Sequence, residues 1–341
     1  MSASVAKPSR QRSPVWWPAI GLLILIAVNA VFDPGFLKMT IVDGHLYGTP
    51  IDLFNQGSRV MLLALGMTLV IATGGVDLSV GSVVAVSAAV CAQLIVRETA
   101  LPLVVLAALG TGLAAGGINA VLVARIGVQP IVATLILMVA GRGLAQLITG
   151  GNVVIFSDAS FEFLAKGHVL GLPVAALLVL ALFGIAQLAL RRTAAGLFLE
   201  AVGDNATASR FAGIAAARTK ALAYLACGGC AGLCGALVAA HIAAADPYQA
   251  GINMELDAIF AVVIGGTALT GGRFYLLGSL IGALFLQALT LSMFYFGVPP
   301  AVAPVPKAVL IIAVALIQVP RLRQKLTALW QRSPANRKAT S

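Results

Sequence analysis

Three groups of residues in this chain of 341 residues carry side chains able to do chemistry. The first is the stretch TGGVDLSVGS at 73–82, where Thr73, Asp77 and Ser79 stand in a glycine-rich break between apolar runs. A related break, GGTALTGGR at 265–273, contains Thr267, and each break precedes a Gly-Ser pair, so the two form a weak internal repeat. Paired glycine-interrupted segments in the two halves of a transporter mark a translocation path or its gate, because unwound backbone is tolerated where it lines a wet cavity. An ordinary tight turn with Asp77 capping the next helix is the alternative reading. The second group comprises Asn119, Gln129, Arg142, Gln146 and Gln287, which lie in or near apolar runs, with Asp257 at the end of one. Neutral amides suit a neutral hydroxylated solute, and they also hold helices together. Arg142, about two helical turns inside the end of its run, must be paired, hydrated or extended toward the interface. Thr73, Asp77, Ser79, Asn119, Arg142, Gln146, Asp257 and Thr267 are therefore the candidates for a path or gate.

The third group is Cys227, Cys230, Cys234 and His241, which share one helical face. At about 1.5 Å per residue the first and last lie roughly 21 Å apart, beyond the reach of any single metal ion. Small polarizable residues among Gly228, Gly229, Gly232 and Gly235 instead suit close helix approach. Neither a disulfide scaffold nor a zinc site is expected. The histidines His45, His168 and His241 form no His-Glu-x-x-His motif, and mid-span aspartate pairs are missing, which argues against an intramembrane protease. The chain contains no Gly-Lys pair, so it has no P-loop with which to cradle nucleotide phosphates.

These residues are set in a chain that is 60% hydrophobic and 10% charged, with a mean hydropathy of +1.00. Such a composition belongs in a bilayer. Apolar runs approaching the length needed to cross about 30 Å of hydrocarbon occur at 15–32, 60–72, 80–96, 101–123, 128–148, 170–190, 221–242, 256–264, 276–298 and 301–319. The expected architecture is all-α and polytopic, with about ten transmembrane helices, two of them short. A basic head (1–14) precedes one transmembrane domain (15–319), and a basic tail (320–341) follows it. The sequence Val28-Asn29-Ala30 faintly resembles a signal-peptide cleavage site, but the first run is longer than a usual signal core and is read as a retained anchor.

Lys and Arg concentrate on the cytoplasmic side of inner-membrane proteins. With the N-terminus inside, alternation of the ten runs places every cation there except Lys38, Arg59, Arg97, Arg142, Lys166 and Lys307, out of 22. Both termini are then cytoplasmic. The net charge of +10 reflects this orientation; its placement at span ends does not suit nucleic acid. An ion-driven secondary transporter would be expected to carry acidic residues in mid-span, whereas Asp77, Glu255 and Asp257 are read at span ends.

The longest polar interruption runs from Arg191 to Lys220. In it Asn205, or Asp204, can cap a short helix over 206–212, and Gly213 suits the left-handed position that ends it. Gly203 is read as allowing a tight turn before the cap. A membrane protein that keeps such a segment in water offers it to a partner.

Four stretches carry a resemblance: ALGMTLVIATGGVDLSVGS (64–82), QPIVATLILMVAGRGLAQLITGG (129–151), EAVGDNATASRFAGI (200–214) and ELDAIFAVVIGGTALTGGRF (255–274). Together they resemble the permease subunit of bacterial ABC importers for monosaccharides of the ribose/xylose/galactose group. The stretch DGHLYGTPIDLFNQGS (43–58) is most similar to the galactofuranose type. The resemblance implies a homodimer of permeases in the inner membrane, two ABC ATPase subunits and a periplasmic sugar-binding protein. It implies that ATP and Mg are handled by the ATPase, with no cofactor on this chain. It further implies that Glu200, Gly203, Asp204, Asn205, Arg210 and Gly213 belong to the loop that couples permease to ATPase. A related permease for branched-chain amino acids is the nearest alternative, against which GGVDLSVG favours sugar.

Overall fold

A computed structural model describes residues 16–33, 35–42, 45–299, 302 and 304–309. The head, the tail and most of the tenth apolar run lie outside these residues. The chain forms two compact units, Met1–Ala288 and Leu289–Ser341. The described elements are helices α1 (Trp16–Phe32), α2 (Thr49–Ala72), α3 (Val80–Val96), α4 (Leu101–Ala120), α5 (Pro130–Thr149), α6 (Ala159–Lys166), α7 (Val174–Arg192), α8 (Ala195–Asp204), α9 (Ala206–Phe211), α10 (Ala216–Ile242), α11 (Met254–Ile264) and α12 (Leu276–Tyr295). A π-helical segment, Val121–Ile126, extends α4. Three two-stranded antiparallel ribbons pair β1 (Thr40–Val42) with β2 (His45–Tyr47), β3 (Val154–Ile155) with β6 (Ala244–Ala245), and β4 (His168–Val169) with β5 (Leu172–Pro173).

Among the described residues six helices are long and apolar enough to cross a membrane: α2, α4 with its extension, α5, α7, α10 and α12; α1 and α3 are shorter apolar helices. The described helices account for nine of the expected runs, with one marked change of length. The run expected at 60–72 belongs to a 24-residue helix beginning at Thr49, because Asp52, Asn55, Gln56 and Arg59 interrupt hydrophobicity without interrupting helix. Pro50 suits its first turn, where the missing N–H costs nothing. The run at 256–264 is a helix of only 11 residues. At 1.5 Å per residue α11 spans about 16 Å, half of the hydrocarbon.

The first unit is organised around α2 and α10, which are largely buried, while α4, α5 and α7 turn apolar faces outward. Leu106, Ile136, Val139 and Leu147 are all exposed, as expected where the surrounding solvent is hydrocarbon. The packing of α10 explains its small residues. A Cβ on Gly228 would overlap the backbone of α4 at Gly112 and lie 2.7 Å from the Gly116 nitrogen, so the two helices meet backbone to backbone. Cys227 and Cys230 serve the same purpose against α2, where a Cβ on Gly66 would stand 2.7 Å from Cys227 Cα and 3.2 Å from Cys230 Cβ.

Candidate functional site

At one end of the first unit three segments far apart in sequence meet. The backbone of Gly203, in the last turn of α8, lies against the end of α2 so closely that a Cβ there would overlap the Ala72 carbonyl and collide with the Gly272 nitrogen. The Gly272 N–H donates to that same carbonyl at 3.0 Å. Gly271, at φ +86°, would set a Cβ 2.8 Å from Gly74 Cα and 2.9 Å from the Gly203 carbonyl oxygen. The two glycine-rich breaks and the end of α8 thus share one backbone junction. Here the expectation for Gly203 is corrected: the residue is helical, and it is glycine because of close approach, not because of a turn.

Beyond this junction the chain makes α9. Asn205 caps it, its Oδ1 accepting from the Ala208 N–H at 2.9 Å, and Gly213 follows at φ +84°. Asp204, Asn205, Arg210 and Gly213 are exposed, and Glu200 is half-buried. Phe211 is 90% exposed and Leu197, on α8, is 67% exposed, so both helices carry large apolar side chains that the described residues do not cover. α8 packs on α2, α7 and α10 and carries α9 with it.

A second cluster lies within the protein. Asp77 Oδ1 accepts from the Ser79 N–H at 3.0 Å, from Ser79 Oγ at 2.6 Å and from Asn119 Nδ2 at 3.2 Å; Asn119 Nδ2 also donates to Ser79 Oγ at 2.9 Å. All three residues are buried. They tie the unwound segment before α3 to α4. Thr73 and Thr267 are buried as well: Thr73 Oγ1 donates to the Val70 carbonyl at 2.8 Å, and Thr267 Oγ1 accepts from the Tyr275 N–H at 3.0 Å. In this conformation Thr73, Asp77, Ser79, Asn119 and Thr267 are buried and shape the two breaks. Asp77 organises the turn ahead of α3 through its bond to the Ser79 N–H, while the N-cap of α3 is Ser79 and not Asp77.

Arg142, Gln146 and Asp257 are only half-buried. Arg142 donates from Nη1 to the Ala250 carbonyl, in the irregular stretch before α11. Glu255, in the first turn of α11, packs against Gly81, where a Cβ would overlap its Oε2. Glu255 and Asp257, expected at the end of a span, lie in the first turn of α11.

A family model described as branched-chain amino acid transport system / permease component matches residues 49–315. The chain belongs to this permease family. It is a transport component, not an enzyme, and a multi-pass membrane protein. The permease is 46% identical over 313 residues to the galactofuranose transporter permease protein YtfT of Escherichia coli (strain K12), covering 92% of each chain. It is 35% identical over 329 residues to the fructose import permease protein FruF of Bifidobacterium longum (strain NCC 2705), covering 95% of this chain and 92% of the relative. It is 37% identical over 302 residues to the ribose import permease protein RbsC of E. coli (strain K12), covering 87% and 91%. No solved structure matches it.

One feature of the permease was missed in the sequence. Phe211 is the only aromatic in a short helix of otherwise small or polar residues, a signal that was available.

Proposed function

We propose that the permease carries a monosaccharide inward across the bacterial inner membrane, both termini cytoplasmic, as the membrane part of an ATP-driven importer. Two copies form the translocation unit, a periplasmic sugar-binding protein delivers the solute, and separate ABC ATPase subunits bind ATP and Mg, so this chain needs no cofactor. The observation that carries the reading is the backbone junction at Gly203. A partner that grips the exposed face of Phe211 and Leu197 pulls on α8, and α8 is in contact with both glycine-rich breaks. Motion delivered to α9 therefore reaches the ends of α2 and α11 without passing through flexible side chains. In this reading Glu200, Gly203, Asp204, Asn205, Arg210 and Gly213 couple the permease to the ATPase, while Arg142, Gln146 and Asp257 face the path.

The relatives named for galactofuranose, fructose and ribose support a sugar as cargo; the family description supports a branched-chain amino acid as the second reading. The test is uptake into proteoliposomes holding the permease with its ATPase and binding protein. Labelled galactose, fructose and ribose, and leucine as the rival, are offered with ATP on the ATPase side. Accumulation of one sugar that needs ATP and binding protein supports the proposal. Leucine accumulation, or solute uptake by the permease alone, overturns it.

A further inference from the structure

Gly74, which touches the junction, is followed at once by a residue that touches the buried interior. A Cβ on Gly74 would stand 4.0 Å from the Gly203 carbonyl oxygen, whereas a Cβ on Gly75 would stand 2.5 Å from the hydroxyl oxygen of Tyr224 on α10. Two residues further on, Asp77 is bonded to Asn119 of α4. The break therefore lies across two side chains that come from neighbouring helices. Their backbones meet here as well: a Cβ on Gly116, three positions before Asn119 and on the same face of α4, would overlap the Tyr224 carbonyl.

Both side chains are wholly buried, and each leaves one atom unmatched. Asn119 spends its amide nitrogen on Asp77 and Ser79, while its Oδ1 has no hydrogen-bond partner among the described residues; the Tyr224 hydroxyl has none either. One is an acceptor and the other can donate. A buried polar group left unpaired is costly, and such groups are rare in folded proteins.

We propose that the break at 73–79 is a two-position latch, and that in its second position the Tyr224 hydroxyl donates to Asn119 Oδ1. This rests on the reading that the power stroke enters through Gly203. Asp77, bonded to Asn119 and to Ser79 at the start of α3, is the fixed end of the segment. Gly74 and Gly75 form the end that moves, because a glycine pair can turn without side-chain collision and Gly74 is what the junction touches. Drawing Gly75 away from the phenol frees the ring to turn toward α4. The new bond matches both open atoms and costs none of the bonds at Asp77, so it favours the drawn-out position. The described position keeps both atoms unpaired, which makes it easy to leave when the stroke arrives.

The experiment is a double-mutant cycle in the full transporter, in proteoliposomes with its ATPase, its binding protein and labelled galactose, fructose and ribose. Tyr224→Phe removes only the hydroxyl. Uptake of the sugar carried by the wild type, and ATP hydrolysis with it, should fall about fivefold, the scale of one hydrogen bond. The melting temperature of the purified permease should stay equal to or above that of the wild type. In an Asn119→Ala background the same substitution should change uptake less than about twofold, because the partner is already gone, while the shifts in melting temperature should simply add. Unchanged uptake in an inserted Tyr224→Phe variant overturns the proposal. So does a lowered melting temperature, or coupling of the two residues in melting temperature, which would mark a bond, direct or through water, that already holds the described position. Where Asn119→Ala fails to accumulate in the membrane, Tyr224→Phe decides alone, by uptake against melting temperature. The reading beneath the proposal fails separately, if Gly203→Ala keeps wild-type accumulation per ATP hydrolysed. A wild type that hydrolyses ATP yet accumulates none of the three sugars contradicts the sugar cargo instead, and the cycle is then read in hydrolysis.

Discussion

The backbone of Gly203 is seated on the carbonyl of Ala72, with no room for even a methyl group between the end of α8 and the end of α2. The same carbonyl accepts from Gly272, so one oxygen joins a segment exposed to water and a break inside the membrane domain. Packed backbone has few ways to yield, and such a contact behaves as a rigid link.

Gly271→Ala tests the link from the side of the break. The residue sits at φ +86°, and its new Cβ would press on Gly74 and Gly203. The left-handed conformation costs about 1 kcal/mol and overpacking about 1–3 kcal/mol more. A lower melting temperature of the purified permease is expected, together with reduced uptake. Gly213→Ala, at φ +84° but in open space, should show only the smaller cost.

Phe211→Ala should leave the permease as stable as the wild type, since the residue is almost wholly exposed. Affinity for the ATPase should fall by about 30-fold, the loss typical of a buried interface aromatic. Titration of purified ATPase onto immobilised permease compares the wild type with the variant; equal affinity would remove Phe211 from the docking face.

Asp77→Ala strips acceptors from the Ser79 N–H, Ser79 Oγ and Asn119 Nδ2 at once. Each buried donor left unsatisfied costs about 1–3 kcal/mol, so thermal unfolding in detergent should shift strongly. Asp77→Asn keeps an oxygen in place and should recover most of the stability. If the alanine variant melts like the wild type, the cluster contributes nothing to the fold.

Cys91, Cys227, Cys230 and Cys234 are all buried as free thiols. The native permease should resist maleimide labelling in detergent, and all four should react after denaturation in SDS. Rapid labelling of the native protein would show that α10 is not packed against α2 and α4 as described.

Much of this architecture was legible because it is local. Apolar runs gave the helices, and Asn205 and Gly213 gave the limits of α9, since a cap and a left-handed glycine act within one turn. The first half of α2 escaped notice because Asp52, Asn55, Gln56 and Arg59 are polar inside a helix. α8 was hidden in a stretch read as loop. The meeting of Gly203, Ala72 and Gly271 was beyond local reading altogether: it joins residues up to two hundred positions apart, and only packing reveals why each is small. The burial of Asp77 was illegible for the same reason, as composition reports that a carboxylate exists and not what surrounds it.

The link at Gly203 is tested most directly by measuring uptake and binding-protein-stimulated ATP hydrolysis together in proteoliposomes carrying Gly203→Ala. Transmission through this contact requires that hydrolysis continue while sugar accumulation is lost in a permease that remains inserted and bound to its ATPase. Wild-type accumulation per ATP hydrolysed would show that the power stroke travels by another route.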